Sequence, residues 1–540
     1  MCLPIAWRWE IRCGSCHGAE VYLPPVPSRT ALILIGVLLA NVAAVLFFRH
    51  FTTVDGPMHV LNAAVLESHW TTPRFVADGL TYNTDILDVH WGDLLLVGLL
   101  RFLSPENAHA AFALLVCAAL VLSVAACVRA YATRINATVL WLAPLSFNFL
   151  LVMGFFHFLL GIAICFGVLA WWKWKERSPL SRWSGVLGGM LLAWLTHRSG
   201  PILLGSMMAF LLVVELLQAK AGANKQQAVR TRWMRPVVAI GLVVMTIVGL
   251  RQILGDTVVR GMPQWNGHGE FFLLRPLLLV DRTREIWMLI ALGTLLILSV
   301  AVGLVVRFRL GRKQLPHDAL FLLACCFALT PFFLDTPKMN ILYVQERCQL
   351  LALLALVPWL SAMANASSNW RGQALGFLAL LVLPVQAARM VHLECTLAEL
   401  QRPQEQVLEV CHRLAPGSLV VMKMAEPNWL LQHLSAAVAI RHNGIVLTEQ
   451  DHLRPAPPNI NGTEIPLLRL TRIPTLLPEH WAHGGTPAVD HILFLGNETV
   501  ERGRWTEPWS NMLEEHYWKT FDNGYVLLFT AKPDTLVPTR

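Results

Sequence analysis

Between residues 53 and 69 the chain reads TVDGPMHVLNAAVLESH, and its residue types and spacing invite chemistry. Pro57 suits the first turn of a helix, which puts Asp55 near the cap position, where an acceptor is wanted. Once that helix runs, His59, Asn62 and Glu67 share a face, while Leu61, Val65 and Leu66 are free to lie against apolar surroundings. Two readings are open. Asp55 is a helix cap at the head of a solvated face, or it is a carboxylate with a histidine beside it, fit to act as general base or to hold a metal. Further on, NTDILDVHWGD (83–93) gathers Asp85, Asp88, His90 and Asp93. That density suits a divalent cation, but no fixed ligand spacing singles out a set, so no residue is assigned as a metal ligand.

Other ionisable residues stand at the edges of apolar runs. His157 opens GFFHFLLG, His197 and Arg198 fall between two runs in LTHRSGP, and Asp335, Lys338, Gln345, Glu346 and Arg347 precede LLALLALVPWL. Polar groups at membrane depth are costly and so are functional candidates. Each also has an ordinary reading as a cap, an interfacial histidine or a snorkelling arginine. The pattern Cys13-Gly14-Ser15-Cys16-His17 matches a c-type haem attachment site. No folded domain surrounds it to exclude water or supply a second axial ligand, so a chance match, or a zinc or redox pair, is the better reading.

The elements that must position these residues follow from composition. Of 540 residues 55% are apolar and only 14% charged, and mean hydropathy is +0.51. A soluble chain carries roughly a quarter charged residues, so a string of soluble domains is excluded. Apolar runs of membrane-spanning character occur at 30–48, 91–103, 108–128, 138–153, 155–172, 184–196, 199–218, 236–254, 286–306, 318–334, 347–364 and 372–389. The expected fold class is an all-α polytopic membrane protein with about 11–12 transmembrane helices.

Lys and Arg collect on the cytoplasmic side of a membrane. The basic breaks Lys173/Lys175/Arg177/Arg182, Lys220/Lys225/Arg230/Arg232/Arg235 and Arg307/Arg309/Arg312/Lys313 can all be cytoplasmic together. Arg129/Arg134 joins them only if 91–103 does not cross. That run is 13 residues, short of the ~20 needed to span. Read as half-buried or re-entrant, it leaves eleven spans, the N-terminus inside and the tail outside.

Three regions result: a cytoplasmic extension (1–29) that is not a signal peptide, a multi-span domain (30–389) with an outer loop at 49–90, and an extracytoplasmic tail (390–540). The tail holds 12 Lys and Arg against 17 Asp and Glu, while the rest holds 31 against 18. The basic balance therefore belongs to loops beside a membrane and not to a nucleic-acid surface. The tail reads as a small α/β domain: helix 404–414, strand 418–424, helix 428–440, strands 445–448 and 489–496, helix 510–520 and strand 524–531. It has no Gly-rich phosphate loop.

This layout, with DGPMH at 55–59, FLLG at 158–161 and the turn containing His197, resembles the GT-C superfamily of membrane glycosyltransferases, notably poorly characterised bacterial members. The resemblance implies a polyisoprenyl-phosphate sugar donor with its lipid among the spans, an acceptor on the outer face, and residence in a bacterial inner membrane. It assigns Asp55 as base, with His59 beside it as a second catalytic candidate, and puts His197, Arg198, Glu346 and Arg347 at the substrate, Arg347 at the donor phosphate by its position before a late span. Gly56 stands where several relatives carry a second acid, so a divalent cation is left open and no metal residue is named. The rival reading is a transporter or flippase for a polar lipid or glycan precursor, in which the same His and Arg residues would contact cargo. Paired halves with matching broken helices, the mark of many transporters, are not evident in the sequence.

Overall fold

The computed structural model describes residues 28–46, 51–70, 92–174, 178–221, 274–311, 317–333, 343–367, 370–424, 429–431, 433–448, 482–483, 486–487, 489–496 and 510–533. The expected span 236–254, the Cys13–His17 motif, Asp85, Asp88, His90, Asp335 and Lys338 lie outside these residues. Among the described residues, five helices are long and apolar enough to cross a membrane, and the chain is a multi-pass membrane protein with a small C-terminal sheet domain.

The membrane part runs α1 (Ser28–Leu46), α2 (Gly56–Trp70), α3 (Asp93–Leu100), α4 (Pro105–Ala132), α5 (Leu142–Ser146), α6 (Phe149–Val152), α7 (Phe156–Lys173), α8 (Pro179–Thr196), α9 (Gly200–Ala221), α10 (Arg282–Arg309), α11 (Asp318–Phe333), α12 (Val344–Ala366), α13 (Trp370–Leu380) and α14 (Val382–Val410). Local sequence sets the starts. Ser104 and Ser178 cap α4 and α8, each followed by a proline at the first helical position, and Asp281 caps α10 through the Thr283 amide. The run expected as one span at 138–153 is broken, because Asn148 accepts from the Leu151 amide and starts a new helix after an extended Phe147.

Helix α3 is only eight residues, about 12 Å of helix, and cannot cross a core of ~30 Å. It lies beside α2 instead, joined to it by His59–Asp93 at one end and Glu67–Arg101 at the other (3.5 and 3.9 Å). Because α3 does not cross, the ends of α4, α7, α10 and α12 sort consistently. The starts of α2, α3, α7 and α12 meet at one end, here the Asp55 end. Residues 132–136, Lys173, Arg307 and Asn365 mark the opposite end, where Asn365 donates to the carbonyls of Ala132 and Arg134, 2.8 Å each. The polar core between them is knit by Arg389 of α14, fully buried, which donates to Gln386 and the Leu277 carbonyl, while Gln386 donates to Asn41 of α1 at 2.8 Å.

Helix α14 runs without a break across residue 390 and carries the chain out at the Asp55 end. The tail then forms β1 (Leu419–Met424), α15 (Leu434–His442), β2 (Ile445–Thr448), a two-stranded β3 (Ala482–His483) and β4 (Thr486–Pro487), β5 (His491–Leu495), α16 (Ser510–His516), β6 (Tyr517–Asp522) and β7 (Val526–Ala531). The main sheet has the order β2-β1-β5-β7-β6, parallel across β2, β1 and β5 and antiparallel across β5, β7 and β6. The helix expected to reach 520 stops at His516; from Tyr517, whose ring is buried and whose hydroxyl donates to the Val489 carbonyl, the chain pairs with β7. Pairing with β7, which no local pattern in the segment announces, is what makes it a strand.

Candidate functional site

Asp55 ends a short extended segment pinned to the break before α7. The amides of Val54 and Asp55 donate to the carbonyls of Val152 and Met153, both at 3.0 Å. Gly154 takes a positive φ of 85° at this contact, and a Cβ there would press on the Asp55 and Gly56 amides at 2.9 Å. A side chain at 154 would therefore displace the catalytic candidate. The cap role is divided in an unexpected way. The Asp55 carbonyl accepts the first helical bond, from His59, but the side chain that accepts from a first-turn amide is Thr53, whose hydroxyl takes the Gly56 N–H at 3.1 Å. The Asp55 carboxylate points elsewhere. It meets His433 Nε2, just before α15 of the tail domain, at 3.2 Å.

One turn into α2, His59 donates from Nε2 to the Gly154 carbonyl at 3.1 Å and turns Nδ1 toward Asp93. Asp93 and His157 start α3 and α7, are almost fully buried, and face each other at 3.1 Å. Burial opposes a charge on His59, yet the Asp93 contact and the charges of Asp93 and Asp55 raise its pKa overall. Phe156 packs on His59 and His109, which closes this cluster on its apolar side.

Arg347, in the first turn of α12, lies with its guanidinium over Phe155 and Phe158, 4.8 and 4.4 Å from the ring centroids. Among the described residues it has no carboxylate partner, and its buried Nε has no hydrogen-bond acceptor. Asp55 is near enough for the two charges to interact. His197 packs against Phe158 edge-on at 5.6 Å, with its Nδ1 engaged by Ser199 at 2.7 Å. Arg198 points to the surface. Glu346 is buried and pairs with Arg275 at 3.3 Å, and Arg275 itself stacks on Phe149 and Tyr343. Tyr343 has its phenol pushed up, first by burial, with Glu346 and Asp55 adding to that and Arg275 opposing it.

Asp55, His59, Glu346, Arg347 and His197 therefore gather at one end of the bundle. Sequence reading did not single out His433 or Arg275. His433 sits in a tail helix region with no motif around it, and Arg275 follows a long polar stretch; only the fold puts them here. The tail domain closes over the site through α15, which packs on α2, and Arg441 of α15 forms an ion pair with Glu106 of α4. Between the two parts lies a mainly apolar cavity of about 50 Å³ bordered by Pro57, Val60, His109, Leu434 and Ile440.

The helical layout, the site at the head of α2 and the appended sheet domain together make up a multi-pass membrane fold. Two solved structures share it over nearly the whole length. ArnT from Cupriavidus metallidurans in the apo state superposes with a TM-score of 0.54 at 12% identity, covering 94% of this chain and 99% of that one. ArnT from the same organism bound to undecaprenyl phosphate gives 0.53 at 13% identity, covering 95% and 100%. The fold expected from the sequence resemblance is thus the fold observed. No family model matches the chain, and no curated protein matches it either.

Proposed function

We propose that the chain is a membrane glycosyltransferase that moves a sugar from a polyisoprenyl-phosphate donor to an acceptor hydroxyl at the outer face. The observation that carries this reading is the pairing, at one end of the bundle, of Asp55, whose carboxylate meets His433 while Thr53 takes the cap bond, with Arg347, which among the described residues lies against aromatic faces and no carboxylate. In transfer, Asp55 takes the proton of the acceptor hydroxyl as that oxygen attacks the anomeric carbon. The bond from that carbon to the phosphate oxygen breaks on the opposite side, so the configuration inverts. The phosphate that leaves is held by Arg347, whose planar fork matches its oxygens, with His197 against the same Phe158 ring and the exposed Arg198 next to it in the chain. His433 orients the Asp55 carboxylate, so the site is complete only with the tail domain docked. That one ArnT structure is bound to undecaprenyl phosphate supports a polyprenyl-phosphate lipid as the donor's carrier.

The same geometry supports an outward tail and site: Arg129, Lys173 and Arg307 lie at the end opposite Asp55, which the positive-inside rule assigns to the cytoplasmic side. The residence that fits is a bacterial inner membrane. A flippase would use the same end for cargo, but it gives no reason for a carboxylate and a histidine from a separate domain to meet.

The reading is tested in a deletion strain by mass spectrometry of lipid-linked sugars and surface glycans. A polyisoprenyl-phosphate sugar should accumulate, one glycan modification should disappear, and the wild-type gene but not Asp55→Asn should restore both. Full restoration by Asp55→Asn contradicts the transferase and leaves the transporter.

A further inference from the structure

His59, Asp93 and His157 stand in the first turns of three different helices, α2, α3 and α7, and each offers one ligand atom, all within 4.8 Å of one another. Asp93 Oδ1 is 3.5 Å from His59 Nδ1 and 3.1 Å from His157 Nε2. Two ligands each about 2.0–2.1 Å from a tetrahedral zinc ion stand roughly 3.3 Å apart, so the two observed separations bracket the edge of such a site.

The hydrogen bonding of His59 bears on the same point independently. The Gly154 carbonyl has nothing to donate, so His59 Nε2 carries the hydrogen in that bond. In a neutral ring Nδ1 is then a bare lone pair, and it faces a carboxylate oxygen. A lone pair and a carboxylate oxygen repel unless a cation, a proton or a metal, lies between them. A backbone carbonyl that fixes the outer nitrogen is the arrangement that orients metal-ligating histidines. Space has been kept for the inner ring as well, since a Cβ on Gly92 would strike the imidazole of His157. The Asp93 and His157 side chains are 1% and 3% exposed, while His59 keeps 17%, the side from which a water completes a four-coordinate shell.

We infer that His59 Nδ1, Asp93 Oδ1 and His157 Nε2 hold one zinc-class divalent cation. Two imidazoles and one carboxylate suit Zn²⁺, whereas Mg²⁺ and Ca²⁺ ask for oxygen-rich shells. The ion ties the start of α2 to α3 and α7, and so fixes the peptide that presents Asp55. It is separate from the Asp55 carboxylate, which has its own partner in His433, and it does not depend on the transferase reading.

Metal uptake is measured on full-length protein without a histidine tag, in a Cys13→Ser/Cys16→Ser background that removes the competing N-terminal pattern. After chelation and re-equilibration with Zn²⁺, elemental analysis should find about one equivalent per chain. Zn²⁺ but not Mg²⁺ should raise the melting temperature. Co²⁺ in its place should give the intense visible bands of a four-coordinate ion without thiolate charge transfer. Asp93→Asn and His157→Gln should weaken binding by more than the roughly 10–100-fold that outer-sphere changes cost. Protein that takes up no Zn²⁺ while remaining folded overturns the inference and leaves a proton on His59 in the cation's place. Folded variants that retain the ion overturn it too. If the variants do not fold, the Co²⁺ spectrum of the parent protein decides, and octahedral or absent bands count against the site.

Discussion

The two ends of the helical bundle use polar residues in opposite ways. At the end far from Asp55 the groups satisfy one another. Arg307 grips Asp318 with bonds of 2.8 Å to each carboxylate oxygen, Lys173 meets Glu215 at 2.5 Å, and Asn136 and Asn365 bridge α4 and α12. The partly buried Lys173 and Arg307 there each have an anion, while Arg129, Arg134 and Arg309 stand at the surface. At the Asp55 end the charges are spread differently: Arg347 has aromatic faces in place of an anion, and Asp55 reaches across to another domain. Burying a charge without its counterpart is expensive, so a fold that keeps such a group must gain from it when a ligand arrives. The saturated end builds; the unsaturated end is equipped to bind.

The contrast is sharpest at Asp55. Since Thr53 supplies the cap, Asp55→Asn should shift stability by well under ~1 kcal/mol, while sugar transfer falls by about 10²–10⁴-fold because an amide takes no proton. Thermal melting beside a transfer assay with purified donor separates the two effects. Arg347→Ala comes next. Removing a partly buried charged contact should weaken donor binding by about 2–5 kcal/mol and leave acceptor binding nearly unchanged, and Arg347→Lys should rescue incompletely for want of the fork. Normal donor affinity in a folded Arg347→Ala protein would make Arg347 an anchor only.

A smaller loss is expected where the domains meet. His433→Ala should cost about 1.5–3 kcal/mol in kcat through loss of a charge-assisted contact to Asp55, with donor KM little changed. Arg441→Ala, which breaks an ion pair at the domain edge, should cost no more than about 1 kcal/mol. Equal losses from the two would mean that His433 merely helps the domains dock. At the far end the effect on transfer should vanish. Asp318→Asn should lower stability by up to roughly 1.5–3 kcal/mol yet leave transfer per folded molecule intact. A large catalytic defect there would erase the contrast.

Much of this arrangement was legible in the sequence because it is local or periodic. Apolar runs mark the helices, the shortness of 91–103 excludes a crossing, and Asp55 and His59 stand out by their spacing ahead of an apolar stretch. That His157, His197 and Arg347 share an end with Asp55 followed from counting crossings. What could not be read was contact between distant segments. Asp55 reads as the cap until the backbone gives the side-chain bond to Thr53. His433 carries no local signal, Asp93 looked like one acid among several, and residues 517–520 read as helix until β7 is beside them. Register and domain docking are tertiary facts that a single sequence does not spell out.

The most direct test of the unequal ends is to ask where a donor lies. A polyisoprenyl-phosphate sugar with a photoreactive group next to its phosphate should, on irradiation with full-length protein, label the starts of α7 and α12, in peptides containing Phe155–Phe158 and Tyr343–Arg347. The label should be competed by unmodified donor and weakened by Arg347→Ala. Label concentrated instead on residues 132–136 or around Asn365 would contradict the account, because it would put the lipid phosphate at the end where Lys173 and Arg307 already have their anions.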